Sequence, residues 1–227
     1  YLEPMDYVTS RLCGRLGATQ ATMFAAQVCD NRVVGSTHYD AELVAMAGVD
    51  ADRLPPLLPV YGVAGELRSD LARRLGLPAG VVVRAGMNDS HAGAFATGAF
   101  DPERLGLVVG TTAVVLDTID RQAVDLDHEI VSMPAPLRGR YLVWAENGVA
   151  GRSVEHAVGL LGATFDELER ALAGDGRGAG ALFLPWLTGS MAPAANRSMR
   201  GGWIDVGVET TRADLLAAAV EGTARNV

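Results

Sequence analysis

Residues 80–94 read GVVVRAGMNDSHAGA, and this stretch indicates how the chain is built. The run Val81–Val83 is β-branched and bounded by glycines, a pattern typical of a buried strand. The segment Ser90–Phe100 is small and apolar enough to form a packed helix. The stretch therefore predicts a strand, a tight turn and a helix, with polar side chains at the junction.

Strands and helices alternate outward from this stretch. Two apolar runs, Leu105–Val109 and Ala113–Leu116, flank Gly110-Thr111-Thr112 and predict a β-hairpin. Other predicted strands are Tyr141–Ala145 and Leu182–Leu187, and the predicted helices are Pro4–Gly14, Tyr39–Ala47, Gly65–Leu75, Ser153–Leu161, Phe165–Ala173 and the segment from Arg212 onward. The alternation favours an α/β fold, and the hairpin favours a mixed sheet. Asp101-Pro102-Glu103 breaks a helix and predicts a domain boundary near Phe100–Arg104.

The charge balance argues for a small-molecule ligand. The 227 residues include 27 acidic and 19 basic side chains, a net charge of −8, so neither nucleic acid nor an anionic membrane is an expected partner. All 19 basic residues are arginine. Chemistry that needs a lysine amine, such as Schiff-base formation or phosphate binding by a P-loop, is therefore excluded within this sequence.

Cysteine usage and hydropathy predict a cytoplasmic location. Cys13 and Cys29 cannot supply a disulfide framework or a structural zinc site. There is no apolar run of membrane-spanning length, and the first residues lack the pattern of a signal peptide. The sequence begins and ends inside predicted helices, so we expect both ends to be cut from a longer chain.

Asp89 is the strongest candidate for chemistry. A carboxylate between a strand end and a helix start is rigid, accessible and close to free backbone N–H groups, so it can accept a proton from a substrate. Two alternatives stay open from position alone: Asp89 caps the helix, or it joins Ser90 and His91 in a small hydrolase site. The pattern places His91 on the surface or on a helix face.

Two glycine-containing segments are candidates for phosphate binding. At the hairpin tip, Gly110 permits a sharp fold, and the next two residues present hydroxyls beside backbone N–H groups. Asn147–Gly151 lies between a strand and a helix, where a nucleotide could approach the backbone. Plain turns are the alternative at both places. The glycines of Gly174–Gly180 follow a helix and precede a strand, the reverse of a dinucleotide fingerprint, and predict a flexible loop.

Five segments resemble, in the same order, motifs of the FGGY family of carbohydrate kinases. Ala85–Ala94 is similar to the family's Ala-Gly-Gly-Gly-Asp-Asn-Ala-Ala-Gly-Ala block, and Gly110–Thr112 resembles its Gly-Thr-Ser phosphate turn. The other three are the opening LEPMDYV to LCG at residues 2–14, LFLPWLTG at residues 182–189, and the tail from RGGW at residues 200–203 through TRADL to Glu221-Gly222. The resemblance runs along nearly the whole chain.

The resemblance implies an α/β fold of the actin-like, ribonuclease H-like ATPase type, with two lobes that bind ATP and a sugar. Residues 1–103 are expected to form the end of the sugar-binding lobe, and residues 104–227 the start of the nucleotide-binding lobe. The implied activity is ATP-dependent phosphorylation of a small sugar or polyol, with a pentulose such as xylulose expected and Mg²⁺ accompanying ATP. The formation of a homodimer is left open.

The resemblance also implies roles for individual residues. Asp89 is expected to act as the general base that takes the proton from a sugar hydroxyl. The other expected contacts are Asn88 and Ser90, with Asp89, to the sugar; Gly110, Thr111 and Thr112 to the phosphates; and Gly151 to the nucleotide.

Two family motifs have no counterpart in this sequence. These are the N-terminal Asp-x-Gly-Thr phosphate loop and the C-terminal Gly-Gly-Gly segment that holds adenosine. We therefore expect the 227-residue chain alone to have little kinase activity. A kinase-like sugar-binding or regulatory protein without turnover is the competing interpretation.

Overall fold

The computed structural model describes residues 1–174 and 180–227. The α-helices found there are α1 (Pro4–Cys13), α2 (Ala41–Met46), α3 (Ser69–Leu75), α4 (Asp89–Thr97), α5 (Gly151–Leu160), α6 (Phe165–Ala173) and α7 (Arg212–Arg225). The strands are β1 (Ala18–Thr19), β2 (Leu57–Leu58), β3 (Val63–Glu66), β4 (Val82–Arg84), β5 (Gly106–Val109), β6 (Ala113–Ile119), β7 (Val124–Asp125), β8 (Ile130–Pro134), β9 (Tyr141–Asn147), β10 (Leu182–Leu184) and β11 (Gly202–Ile204). In these two ranges, no helix combines the length and apolar character needed to cross a bilayer. Residues 175–179 of the predicted loop lie outside the described residues.

The largest sheet has five strands in the order β5-β6-β9-β8-β7. Its β5–β6 pair is the predicted hairpin, antiparallel with Val109 opposite Ala113 across the Gly110–Thr112 tip. β7 and β8 are also antiparallel. Smaller two-stranded sheets are formed by β1 with β2, β3 with β4, and β10 with β11.

Two compact units are distinguished by their internal contacts. The first unit consists of Tyr1–Arg104, Asp117–Ala123 and Ser132–Val143, and the second of Leu105–Leu116, Val124–Val131 and Trp144–Val227. Both units draw on the segment between residues 105 and 143, because β6, β8 and β9 each contribute residues to both. The assignment of residues 1–103 and 104–227 to two lobes stays a prediction.

The predicted helix over Gly65–Leu75 is wrong in its first part. β3 extends to Glu66 and α3 begins only at Ser69. Gly65 instead pairs with Val83 of β4. A Cβ atom at Gly65 would lie 2.9 Å from Cβ of Cys13, so this glycine allows β3 to approach the end of α1. The predicted strand at Leu182–Leu187 likewise ends at Leu184, because Pro185 has no N–H to donate.

The core of the second unit is built where α7 lies against β10. Phe183 is buried between them, and its ring centroid is 4.8 Å from that of Trp203 on the neighbouring strand. Gly222 makes the close approach possible, since a Cβ atom there would lie 2.1 Å from the Phe183 carbonyl oxygen. The other buried residues of this cluster are Ala157, Ala181, Ala218 and Ala219.

Gly222→Ala should therefore destabilise the fold although alanine is the better helix former. We expect the free energy of unfolding to fall by about 2 kcal/mol or more, because α7 and β10 must move apart to make room for the added methyl group. Gly159→Ala on α5 is the matched control: no atom lies within 4 Å of the added Cβ, so helix propensity should raise stability by about 0.5–1 kcal/mol. Urea denaturation measures both. Equal effects of the two substitutions would contradict the packing described for α7.

Asp6 on α1 is a buried carboxyl group close to the β4–α4 junction. Its side chain is 1% exposed, and its Oδ2 atom has no hydrogen-bond partner in the described part of the chain. Burial raises the pKa of Asp6 from 3.8 to about 6, with a smaller contribution from Glu3, while the Thr22 hydroxyl acts in the opposite direction. The adjacent Met5 packs against Gly86, where an added Cβ would lie 3.4 Å from Cβ of Met5.

The raised pKa predicts a stability that depends on pH. The folded state binds this proton more tightly than the unfolded chain, so the contribution is fully present below about pH 4 and is lost as the pH rises through about 6. Asp6→Asn should remove this loss, and its advantage over wild type should grow by up to about 3 kcal/mol between pH 4 and pH 7. Denaturation curves at both pH values test this, with the exposed Asp52→Asn as control. A pH-independent difference would contradict the assignment.

Candidate functional site

The start of α4 is organised by Asn88. Asn88 has extended backbone angles (φ −74°, ψ 168°), and its Oδ1 atom accepts a hydrogen bond from the His91 N–H at 2.9 Å. This is the geometry of a helix N-cap. The cap is therefore Asn88, and the alternative that Asp89 caps the helix does not describe this structure.

Asp89 is the first residue of α4 and is exposed. Its Oδ1 atom accepts a hydrogen bond from the N–H of Ser90 at 2.8 Å. Its Oδ2 atom accepts none from the described residues, so one carboxylate oxygen is available to a ligand. Ser90 is half-buried next to it.

Of the two positions that the sequence predicted for His91, the surface is wrong: the residue lies on α4 with its ring buried. The side chain is 0% exposed, and its Nε2 atom lies 2.9 Å from the carbonyl oxygen of Pro134 at the end of β8. The Nδ1 atom is buried and has no hydrogen-bond partner in residues 1–174 and 180–227. The ring is therefore turned into the protein, and a hydrolase site of Ser90, His91 and Asp89 has no imidazole available to activate the serine.

Burial also sets the protonation of this ring. The pKa of His91 is lowered from 6.5 to about 4 because the charged form is desolvated; the Pro134 carbonyl and Asp89 oppose this shift less strongly. The imidazole is therefore neutral at pH 7.

The Gly110–Thr112 turn at the hairpin tip has its carbonyl oxygens occupied. The Gly110 N–H donates to the Thr112 oxygen at 2.8 Å, which leaves the donors of Thr111 and Thr112. The Gly110 oxygen accepts from the N–H of Gly151 at 2.9 Å, and the Thr111 oxygen accepts from the N–H of Ala150 at 2.9 Å. Within the described ranges, the N–H groups and hydroxyls of Thr111 and Thr112 donate no hydrogen bond to a protein group. Clustered, unpaired N–H and hydroxyl donors form a site suited to an anion such as phosphate.

Gly151 makes this arrangement possible. A Cβ atom at Gly151 would lie 2.6 Å from the Gly110 carbonyl oxygen, closer than any side chain tolerates. The structure thus brings together Gly151 and the Gly110–Thr112 turn, which were predicted separately along the sequence. The start of α5 is further held by Ser153, whose hydroxyl donates to the Ala150 carbonyl at 2.6 Å and lies 3.1 Å from the Thr223 hydroxyl.

Sequence reasoning missed this support for the turn. The only signal was Ser153, a hydroxyl residue in the first turn of a helix, and its partner Thr223 lies 70 positions later in the chain.

The candidate sugar-site residues Asn88, Asp89 and Ser90 belong to the first unit, and the candidate nucleotide-site residues belong to the second. The described residues contain no group of three or more His, Cys, Asp or Glu side chains that could hold a metal ion.

Comparison with known proteins places this geometry in context. Residues 1–96 match the FGGY family of carbohydrate kinases, N-terminal domain. A xylulose kinase of Staphylococcus epidermidis is 29% identical over 174 residues, which cover 75% of this chain and 35% of the relative. A gluconokinase of Bacillus licheniformis is 24% identical over 83% of this chain and 39% of its own length.

A solved structure is similar over almost the whole chain. The crystal structure of a xyloylose kinase from Brucella ovis superimposes with a TM-score of 0.84 at 26% identity, covering 97% of this chain and 46% of that protein. The predicted actin-like, ribonuclease H-like fold is thereby confirmed. The chain spans less than half the length of each of these three proteins.

Gly151→Ala should disrupt the turn specifically. The added methyl group would push against the Gly110 oxygen and move the donors of Thr111 and Thr112. For the ATP site that the family resemblance implies, we therefore expect the affinity for ATP to fall by about tenfold or more. Gly159→Ala on the same helix should leave affinity within about twofold, because its Cβ meets open space. Isothermal titration calorimetry with the complete protein measures both. Unchanged affinity in Gly151→Ala would contradict the assignment of this turn.

Proposed function

We propose that the complete protein is a carbohydrate kinase of the FGGY family, whose N-terminal domain matches residues 1–96, and that it phosphorylates a small sugar with ATP. The observation that carries the proposal is the state of Asp89. It stands at the start of α4 with one free carboxylate oxygen, because the neighbouring Asn88 performs the capping that Asp89 would otherwise supply.

In the proposed reaction, Asp89 accepts the proton of a sugar hydroxyl. The hydroxyl oxygen forms a bond to the γ-phosphorus of ATP while the bond from that phosphorus to the β,γ-bridging oxygen breaks, and ADP leaves. The start of a helix that packs against the protein suits this role, because the reaction rate depends strongly on the position of the base relative to the hydroxyl.

The Gly110–Thr112 turn supports binding of the ATP phosphates. The free N–H groups and hydroxyls of Thr111 and Thr112 can donate to phosphate oxygens without a lysine, in agreement with the lysine-free sequence. Gly151 holds the turn in place and is proposed to border the nucleotide. We propose that ATP binds with Mg²⁺; the described residues do not form a metal site on their own, and the roles given to them here do not depend on the ion.

The acceptor is proposed to be a pentulose such as xylulose. The support is the similarity to proteins described as xylulose kinases. Asn88 and Ser90 flank the base and are proposed to contact the sugar. Ser90 is the freer of the two, because Oδ1 of Asn88 is used in the cap and its Nδ2 atom lies 3.8 Å from Sδ of Met133.

The test is ADP release by the complete protein with pentuloses, hexonates, polyols and glycerol. One sugar should stimulate release, and Asp89→Asn should lower kcat by about 10²- to 10⁴-fold, because the general base is lost and the shape of the side chain is kept. Ser90→Ala is the neighbouring control. It should raise KM for the sugar and have a much smaller effect on kcat.

Three results would contradict the proposal. Full activity of Asp89→Asn would remove the base from its assigned role. No stimulation by any sugar would favour a kinase-like binding or regulatory protein. Ester cleavage abolished by Ser90→Ala would favour the hydrolase.

A further inference from the structure

His91 follows Ser90 in the first turn of α4, the turn that begins with Asp89, and its ring is buried. Its Nε2 atom is 2.9 Å from the Pro134 carbonyl oxygen, and the side chain is completely buried. Pro134 is the last residue of β8, and both residues belong to the first unit. This contact joins the first turn of α4 to a strand 43 residues away in sequence.

The partner determines which nitrogen carries the proton. A carbonyl oxygen only accepts hydrogen bonds, so Nε2 must be the donor and Nδ1 must hold a lone pair. The lowered pKa of His91 agrees with this neutral form at pH 7. The Nδ1 atom is buried without a partner, so the hydrogen bond to Pro134 is the one polar contact that holds the ring among the described residues.

Asn88 supplies a second link to the same strand end. Its Nδ2 atom approaches Sδ of Met133 at 3.8 Å, while its Oδ1 atom accepts from the His91 N–H. The cap and the imidazole therefore contact consecutive residues of β8, Met133 and Pro134. Asp89 lies between these two links along the chain.

We propose that His91 is a positioning residue for Asp89: its neutral ring, donating from Nε2 to the Pro134 carbonyl, holds the first turn of α4 against β8. This inference rests on the proposed function of Asp89 as the base. Loss of the donor leaves a buried carbonyl oxygen unpaired and releases the turn, and small displacements of a catalytic group reduce rates strongly.

Three variants separate the hydrogen bond from the volume of the ring. His91→Gln keeps an N–H donor close to the place of Nε2, His91→Leu keeps apolar volume without a donor, and His91→Asn keeps an amide that is too short to reach Pro134. His38→Gln and His38→Leu are matched controls at an exposed histidine of the same unit. All variants are made in the complete protein.

The first readout is kcat for the stimulating sugar. We expect His91→Leu and His91→Asn to lower kcat by about 10- to 100-fold, and His91→Gln to stay within about fivefold of wild type. The second readout is amide hydrogen exchange over residues 89–92, which should accelerate in the Leu and Asn variants and not in the Gln variant. If His91→Leu does not fold, the comparison of Asn with Gln decides.

A third readout uses the wild-type protein alone. Nitrogen-15 NMR should show the His91 ring protonated at Nε2 and without titration between pH 5.5 and 8. Equal loss in the Gln and Leu variants, wild-type rates in all three, or a ring protonated at Nδ1 would overturn the inference. If wild type releases no ADP with any sugar, the proposed function fails, and exchange and NMR still decide whether His91 holds the turn.

Discussion

The close approach of Gly151 to the Gly110 carbonyl oxygen is the constraint on which the candidate nucleotide site depends. Two main-chain hydrogen bonds from Ala150 and Gly151 occupy the carbonyl oxygens of the hairpin tip. The Thr112 oxygen accepts from the Gly110 N–H, so the groups that remain for a ligand are the N–H and hydroxyl donors of Thr111 and Thr112. Because a Cβ at Gly151 would fall 2.6 Å from the Gly110 oxygen, only glycine permits this arrangement. The Gly-Thr-Thr sequence of the tip is weak evidence for phosphate binding by itself. Its contact with Gly151 makes the tip a site suited to phosphate.

The first unit solves a related problem at the start of α4. A helix N-terminus needs a cap, and a carboxylate placed there tends to accept the capping hydrogen bonds itself, which leaves its oxygens unavailable to a substrate. Here Asn88 accepts the hydrogen bond that caps the helix, and Asp89 keeps one free oxygen. The buried His91 then fixes the same turn to β8. Capping, support and the proposed proton transfer thus fall to three neighbouring residues, a division consistent with a base held in one position.

The sequence predicted what depends on neighbouring residues. The hairpin, α6 and α7 follow from short-range patterns. The predicted helix Ser90–Phe100 is too long at its end, because α4 stops at Thr97 with Gly98 as its left-handed C-cap. Features that depend on contacts between residues far apart in the chain were missed. His91 was expected on the surface or on a helix face. Its complete burial on α4 was missed because its ring binds the Pro134 carbonyl of β8, a strand that the sequence did not indicate. The helix predicted from Gly65 was wrong because pairing with Val83 outweighs local helix preference. The candidate site residues were found as motifs, and the contact between Gly151 and Gly110 was not.

The central claim is that Asp89 takes the proton from the acceptor hydroxyl. The most direct measurement is a crystal structure of the complete protein with xylulose and a non-hydrolysable ATP analogue. The account predicts a carboxylate oxygen of Asp89 within about 2.6–3.2 Å of the sugar hydroxyl that faces the γ-phosphate. A sugar hydroxyl that faces the γ-phosphate while Asp89 makes no contact with it, directly or through one water, would contradict the account.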